Sequence, residues 1–218
     1  MSNSGFTEGD IFYTVIDNNY HIFKLLVQEY ATWHVMHFAP VTQLPNAEQV
    51  DDLEIYGYHA PISATGFNNP VLLAHQPVIA ADLIGYHTYL QETLRPEDYI
   101  PIAQRYYSTA YEFTNQQLHH EAIDAYSKAI DLLPYFYEAI DNRAFCKMDL
   151  GLWDEAIEDF TLSLTQNPES MLAEFSIGEC YYKKGEYVKA LPYFERAHQL
   201  NPQHPAPDTY IQALKALL

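Results

Sequence analysis

The sequence predicts a chain of two parts. Residues 1–95 form a small α+β domain, a bent antiparallel sheet with one or two helices, and residues 96–218 form an all-α solenoid of three repeats plus a capping helix. Three observations predict it. The second half aligns with itself at a spacing of 34 residues. The first half is a series of short β-prone runs broken by turn-forming residues. Pro96 and Pro101 mark the handover between the two.

Residues 10–17, DIFYTVID, are a β-prone run that ends in the turn residues Asp17, Asn18 and Asn19. Residues 20–28, YHIFKLLVQ, follow in kind, so the pair reads as a hairpin. Residues 32–40 give a third strand stopped by Pro40, which cannot donate to a ladder. Residues 46–54 predict a short helix with Asn46 as N-cap. Two extended runs, 55–61 and 70–77, precede a helix over 80–94 that carries Leu83, Ile84, Tyr86 and Leu90. The run EDYIPIAQRYY around Pro101 lets the first repeat helix begin ahead of its unit.

The repeats align without a gap. HHEAIDAYSKAIDLLP (119–134), WDEAIEDFTLSLTQNP (153–168) and YVKALPYFERAHQLNP (187–202) place Ala122, Ala156 and Ala190 in one column. Tyr126, Phe160 and Phe194 share a second column, and Pro134, Pro168 and Pro202 a third. A small alanine lets two helices approach, and an aromatic four residues later fills the space between them. Gly151 and Gly185 suit the turn inside each hairpin, where a left-handed backbone is needed. The proline ends the second helix. The units are 103–136, 137–170 and 171–204, and the first has Gln117 where the others have glycine. Residues 207–218, with Tyr210, Ile211, Leu214, Leu217 and Leu218 at helical spacing, predict the capping helix that a solenoid requires.

A 34-residue helix–turn–helix unit with these columns resembles the tetratricopeptide repeat. Relative to that family, the first unit has Thr109-Ala110 where Leu-Gly is frequent. The resemblance implies binding on the concave surface lined by the first helix of each unit. The residues there would be Gln104, Tyr107, Tyr111 and Thr114; Glu138, Asp141, Phe145 and Met148; and Leu172, Phe175, Glu179 and Tyr182. This set is aromatic with an acidic minority and holds no lysine or arginine. Family members that clamp the C-terminal carboxylate of heat-shock chaperones use lysine, arginine and asparagine. The corresponding positions here are Tyr107, Tyr111, Asn142, Leu172 and Ser176, so only Asn142 matches. Without cations an anionic terminus has nothing to pair with, and a neutral or basic segment fits better. The alternative is that several of these aromatics pack against the capping helix or a neighbouring domain.

Charge points the same way. There are 11 basic and 29 acidic side chains, a net charge of −18, spread over both halves. Such a field repels nucleic acid and anionic lipid, attracts a basic protein, and also serves solubility. No run of uncharged apolar residues is long enough to cross a membrane. The start lacks the basic and apolar regions of a secretory signal, which makes the cytoplasm the expected location. Cys146 and Cys180 fall on equivalent faces of successive repeat helices, too far apart for a disulfide, and read as buried thiols.

Chemistry is hard to find. Six of the ten histidines lie in the first ninety residues. However, His34 and His37 are three apart on a strand and point to opposite faces. No zinc spacing, nucleophile elbow or phosphate loop is present, so no metal, cofactor or catalytic residue is expected. The carboxylate pairs Asp154-Glu155 and Glu158-Asp159 read as solvated surface.

Gly9-Asp10-Ile11-Phe12, followed by a hairpin with a lysine on its second strand, looks like the start of immunity-protein domains of bacterial polymorphic toxin systems. That resemblance implies a protein that neutralises a cognate toxin without catalysis. The expectation is a non-enzymatic protein-binding chain with a protein or peptide partner, basic in character, a toxin being one candidate. A peptide-binding adaptor or co-chaperone is the alternative, and an enzyme with a His/Tyr site in the N-terminal domain is the third reading. The oligomeric state stays open.

Overall fold

The computed structural model describes residues 5–218, and the chain divides into two compact units, Met1–Pro96 and Glu97–Leu218. The N-terminal unit is a five-stranded antiparallel sheet. Its strands are β1 (Asp10–Ile16), β2 (Asn19–Glu29), β3 (Thr32–Phe38), β4 (Ile55–Ser63) and β5 (Val71–His75), in the order β4-β3-β2-β1-β5. The first hairpin closes with Ile16 opposite Asn19, and Asp17 and Asn18 both take positive φ, as a two-residue hairpin turn of this hand requires. Register shifts between Leu25 and Val27 and between Val35 and His37 bend the sheet.

Asn46 caps a short 3-10 turn, Ala47–Asp52. Its side chain accepts from the backbone of Glu48 and Gln49, and the Gln49 side chain returns a bond to the backbone of Asn46. The region expected to be helical over 80–94 is a 3-10 turn, Ala80–Leu83, that runs into α1 (Ile84–Thr93).

Alternation along the strands divides the side chains between two faces. Phe12, Phe23, Leu25, Trp33, Val35 and Phe67 pack together on one, with Phe6 against them. On the other, α1 brings in buried Tyr86 and Leu90. Three contacts tie this helix region down. Lys24, buried on β2, donates to Asp82 at 2.7 Å and to the Pro77 carbonyl at 3.2 Å. The Tyr86 hydroxyl donates to Glu29 at 2.6 Å. Gly85 lies so close to β4 that a Cβ there would stand 2.8 Å from the backbone carbon of Tyr58.

The start of β1 also has a structural explanation. Gly9 has φ of +94°, and its missing Cβ leaves room for the Gln76 carbonyl. Asp10 accepts from the Thr7 backbone at 2.7 Å and bonds His75 at 2.8 Å. Ile11 and Phe12 are fully buried. The fold thus accounts for all four residues of the GDIF stretch.

The C-terminal unit is a run of antiparallel helices: α2 (Pro96–Asn115), α3 (His119–Leu132), α4 (Tyr137–Asp149), α5 (Trp153–Gln166), α6 (Met171–Lys183), α7 (Tyr187–Leu200) and α8 (Pro205–Leu217). α2 does begin ahead of its unit, with Pro96 in its first turn and Pro101 inside it. The alanine and aromatic columns are fully buried. Gly178 lies against Phe194, close enough that a Cβ would meet ring atoms at 2.8 Å. Both cysteines are buried free thiols, and burial pushes that of Cys180 up to about 12.

Gly151 and Gly185 take φ of 75° and 76° in the hairpin turns, and Gln117 takes 61° at the equivalent place. A side chain makes that conformation unfavourable. Gln117→Gly is therefore expected to stabilise the repeat unit by about 0.5 kcal/mol, the left-handed penalty less the entropy glycine adds to the unfolded chain. Urea titration measures this, and an unchanged midpoint would show that the Gln117 side chain offsets its own backbone penalty.

Two expectations need correction. The buried face of α8 is Pro207, Ile211 and Leu214 with half-buried Tyr210, whereas Leu217 and Leu218 remain in solvent. Asp159 is not solvated surface. It is buried on the same stripe of α5 as Ala156, Phe160 and Ser163, and it pairs with two cations of α4.

Candidate functional site

The first helices of the three repeats, α2, α4 and α6, carry the residues expected in the groove. Gln104, Tyr111, Glu138 and Leu172 are exposed. Tyr107 is half-buried, its ring 4.9 Å from Phe136 and 5.7 Å from Tyr126. Its hydroxyl accepts from Asn142 at 3.0 Å, and the same amide donates to the Glu138 carbonyl at 2.8 Å. Burial, then Glu138, pushes the Tyr107 phenol above its ordinary range. Thr114 faces inward, with its hydroxyl against Tyr126 and Cys146.

On α4, Phe145 packs edge-on against Phe160 at 5.0 Å, and Met148 joins the same cluster. Asp141 turns one carboxylate oxygen into the interior, where no donor reaches it with good geometry. Burial raises its carboxyl, Ser163 nearby offsets part of that, and Glu138 one turn away adds to it.

The third repeat differs because α8 covers it. Tyr210 lies 5.6 Å from Phe175 and 5.1 Å from Tyr182, and its hydroxyl donates to Glu179 at 3.0 Å. These three groove positions thus converge on the capping helix. The exposed part of the groove is left to Tyr111 and Glu138 of the first two repeats, with Gln104 and Leu172.

Sequence reasoning missed one constellation in this unit. Asp159 accepts two bonds from Arg143, at 2.8 and 2.7 Å, and pairs with Lys147 at 2.8 Å, while Arg143 also donates to Ser127 on α3 at 2.9 Å. The spacing of Asp159 from Ala156, Phe160 and Ser163 was the available signal, since it puts the carboxylate on the buried stripe. In the N-terminal unit, His34 and His59 are in hydrogen-bond contact at 2.8 Å. Among the described residues, no three His, Cys, Asp or Glu side chains are grouped to hold a metal. No helix among them is long and apolar enough to cross a membrane.

The tetratricopeptide repeat family model matches residues 172–204. Human protein O-mannosyl-transferase TMTC1 is 34% identical over 94 residues, which cover 41% of this chain and 11% of that protein. Bovine protein SGT1 homolog is 32% identical over 80 residues, 37% of this chain and 24% of that protein. The chain thus spans a quarter or less of the length of these curated relatives. Among solved structures, the first TPR of Spaghetti (RPAP3), bound to HSP90 peptide SRMEEVD, has a TM-score of 0.51 at 23% identity, covering 53% of this chain and 91% of that one. The Yersinia enterocolitica type III secretion chaperone SycD, in complex with a peptide of the translocator YopD, has a TM-score of 0.50 at 19% identity, covering 52% of this chain and 92% of that one. With the ungapped 34-residue register, the buried alanine and aromatic columns and the paired helices, these matches identify a tetratricopeptide repeat at residues 172–204 and give the C-terminal unit the fold of tetratricopeptide-repeat domains.

Proposed function

We propose that the repeat unit is a non-enzymatic docking module that holds an extended, neutral or basic segment of another protein. The observation that carries this is the composition of the groove. Tyr111 and Glu138 are exposed there, no groove position supplies a cation, and the amide of Asn142 is already committed to Tyr107 and Glu138. A C-terminal carboxylate would meet acids and no partner, whereas a segment with a lysine or arginine could pair with Glu138 and lay its stem on Tyr111. The similar repeat domains of RPAP3 and SycD hold peptides, which supports the adaptor role. We place that role in the cytoplasm. Toxin neutralisation is not part of the proposal, because the similar repeat domains of RPAP3 and SycD support the adaptor role rather than a toxin partner.

The test is fluorescence anisotropy of labelled peptides with the full chain. Segments that combine lysine or arginine with leucine or phenylalanine are expected to bind in the micromolar range, about −8 kcal/mol. Glu138→Lys is expected to weaken them at least about tenfold, or about 1.4 kcal/mol. SRMEEVD is expected to show no saturable binding. If SRMEEVD binds as well as the basic set, the charge argument is wrong.

A further inference from the structure

Nδ1 of buried His34 on β3 stands 2.8 Å from Nε2 of His59 on β4. Their ring centroids are 5.1 Å apart and their planes differ by 13°. That separation is the N···N distance plus little more than two ring radii, so the rings lie end to end in nearly one plane. The arrangement is an N–H···N hydrogen bond, with one proton between two nitrogens.

Glu29 fixes which ring carries the proton. Its Oε2 faces Nε2 of His34 at 3.5 Å, and its Oε1 accepts from Tyr86. The carboxylate keeps the His34 proton on Nε2, which leaves Nδ1 as an acceptor and makes His59 the donor from its own Nε2. Nδ1 of His59 is then the unprotonated end of the chain. α1 closes over it, with Tyr86 4.8 Å from His34 and Tyr89 4.7 Å from His59. Further ionisable groups at this face among the described residues include Lys24 and Asp82, which neutralise each other, and His87, whose ring lies 6.0 Å from Tyr86.

We propose that the Glu29–His34–His59 chain is an acid-operated latch, which holds α1 on the sheet while neutral and releases it when both rings are protonated. The first proton enters at Nδ1 of His59, and the shared proton crosses to Nδ1 of His34, so the charge rests beside Glu29 and the N–H···N bond survives. The second must go to Nε2 of His59, where that bond now ends, and it sets two N–H groups against each other. The doubly charged pair does not fit the closed arrangement.

Burial acts in the same direction. It lowers the proton affinity of His34, which Glu29 only partly restores, and with the charge of His34 it brings His59 down to about 4. In the open state both rings titrate near the ordinary 6.5. The stability this pair contributes is therefore complete above pH 6.5 and is lost as the pH falls toward about 4. Asp141 and Glu174 of the repeat unit run the other way. Burial raises these carboxyls, so protonating them favours the folded repeats.

Hydrogen exchange of the full chain between pH 7 and pH 5, read by mass spectrometry and corrected for intrinsic exchange, tests this. Uptake of two protons makes the opening of α1 rise by more than about tenfold per pH unit below about pH 6, with a ceiling near a hundredfold. Peptides from α4 to α7 are expected to keep their protection. His59→Gln retains a donor at the same place but cannot titrate, and its slope is expected to fall to about tenfold or less. Equal slopes in the two proteins, or a parallel loss of protection in both units, would overturn the latch. If His59→Gln does not fold, nitrogen-15 NMR of the unaltered chain at pH 7 decides. Both histidines protonated at Nε2 is the expected result, and any other pair of tautomers rejects it.

Discussion

Asp159→Ala is expected to destabilise the repeat unit by about 3 kcal/mol. The carboxylate is buried and holds Arg143 by two bonds and Lys147 by a third, and Arg143 in turn reaches Ser127. One acid thus joins α3, α4 and α5. Its removal leaves two partly buried cations side by side with no counter-charge, and that repulsion outweighs the relief from no longer desolvating the carboxylate. Partial exposure of Arg143 and Lys147 keeps the loss toward the lower end of the range for a broken buried pair, because both stems can turn their charges to solvent. Denaturant titration of the full chain, monitored in the repeat unit, gives the value. Adding Arg143→Met and Lys147→Met to Asp159→Leu is expected to recover most of it, since an apolar set of similar volume removes the stranded charges. A loss below about 1 kcal/mol for Asp159→Ala would mean that the network is ordinary surface pairing.

The second large effect is expected at Gly85. In a helix, Gly→Ala normally gains about 1 kcal/mol. Here the new Cβ would lie 2.8 Å from both the carbonyl carbon and the Cβ of Tyr58, and 2.9 Å from its oxygen. Backbone atoms of a paired strand cannot rotate away, so α1 must lift from β4. The clash outweighs the helical gain, and a net loss of about 2–4 kcal/mol is expected. Gly178 is the useful contrast. Its close neighbours are ring atoms of Phe194, which can tilt, so Gly178→Ala is expected to lose no more than about 1–2 kcal/mol. Thermal unfolding of the two variants separates the cases, and equal shifts would show that the contact with Tyr58 yields as easily as an aromatic ring.

Where the chain's own periodicity sets the structure, the sequence was legible. The alanine and aromatic columns located three helix pairs, Asp17 and Asn18 located a hairpin, and Asn46 located a cap. What escaped depended on which distant surface covers a face. Asp159 reads as one acid among many until Arg143 and Lys147 of the preceding helix are brought against it. Leu217 and Leu218 have helical spacing, but spacing does not say which residues of α8 another surface covers. The same holds in the groove: Phe175, Glu179 and Tyr182 sit at groove positions by register, and only the packed helix shows Tyr210 among them. His34 and His59 lie on strands whose pairing no local pattern reveals.

Tyr210 also bears on how such an array can grow. Its ring stacks on Phe194 at 4.5 Å and reaches Phe175 and Tyr182 at the same time. A duplicated repeat appended after Pro202 would have to evict that ring and rebuild three aromatic contacts in a single step. A repeat inserted between the second and third units would leave in place that ring and the bonds of Arg143 to Ser127 and of Asn142 to Tyr107. The lineage of this solenoid can therefore lengthen from within far more readily than at this end.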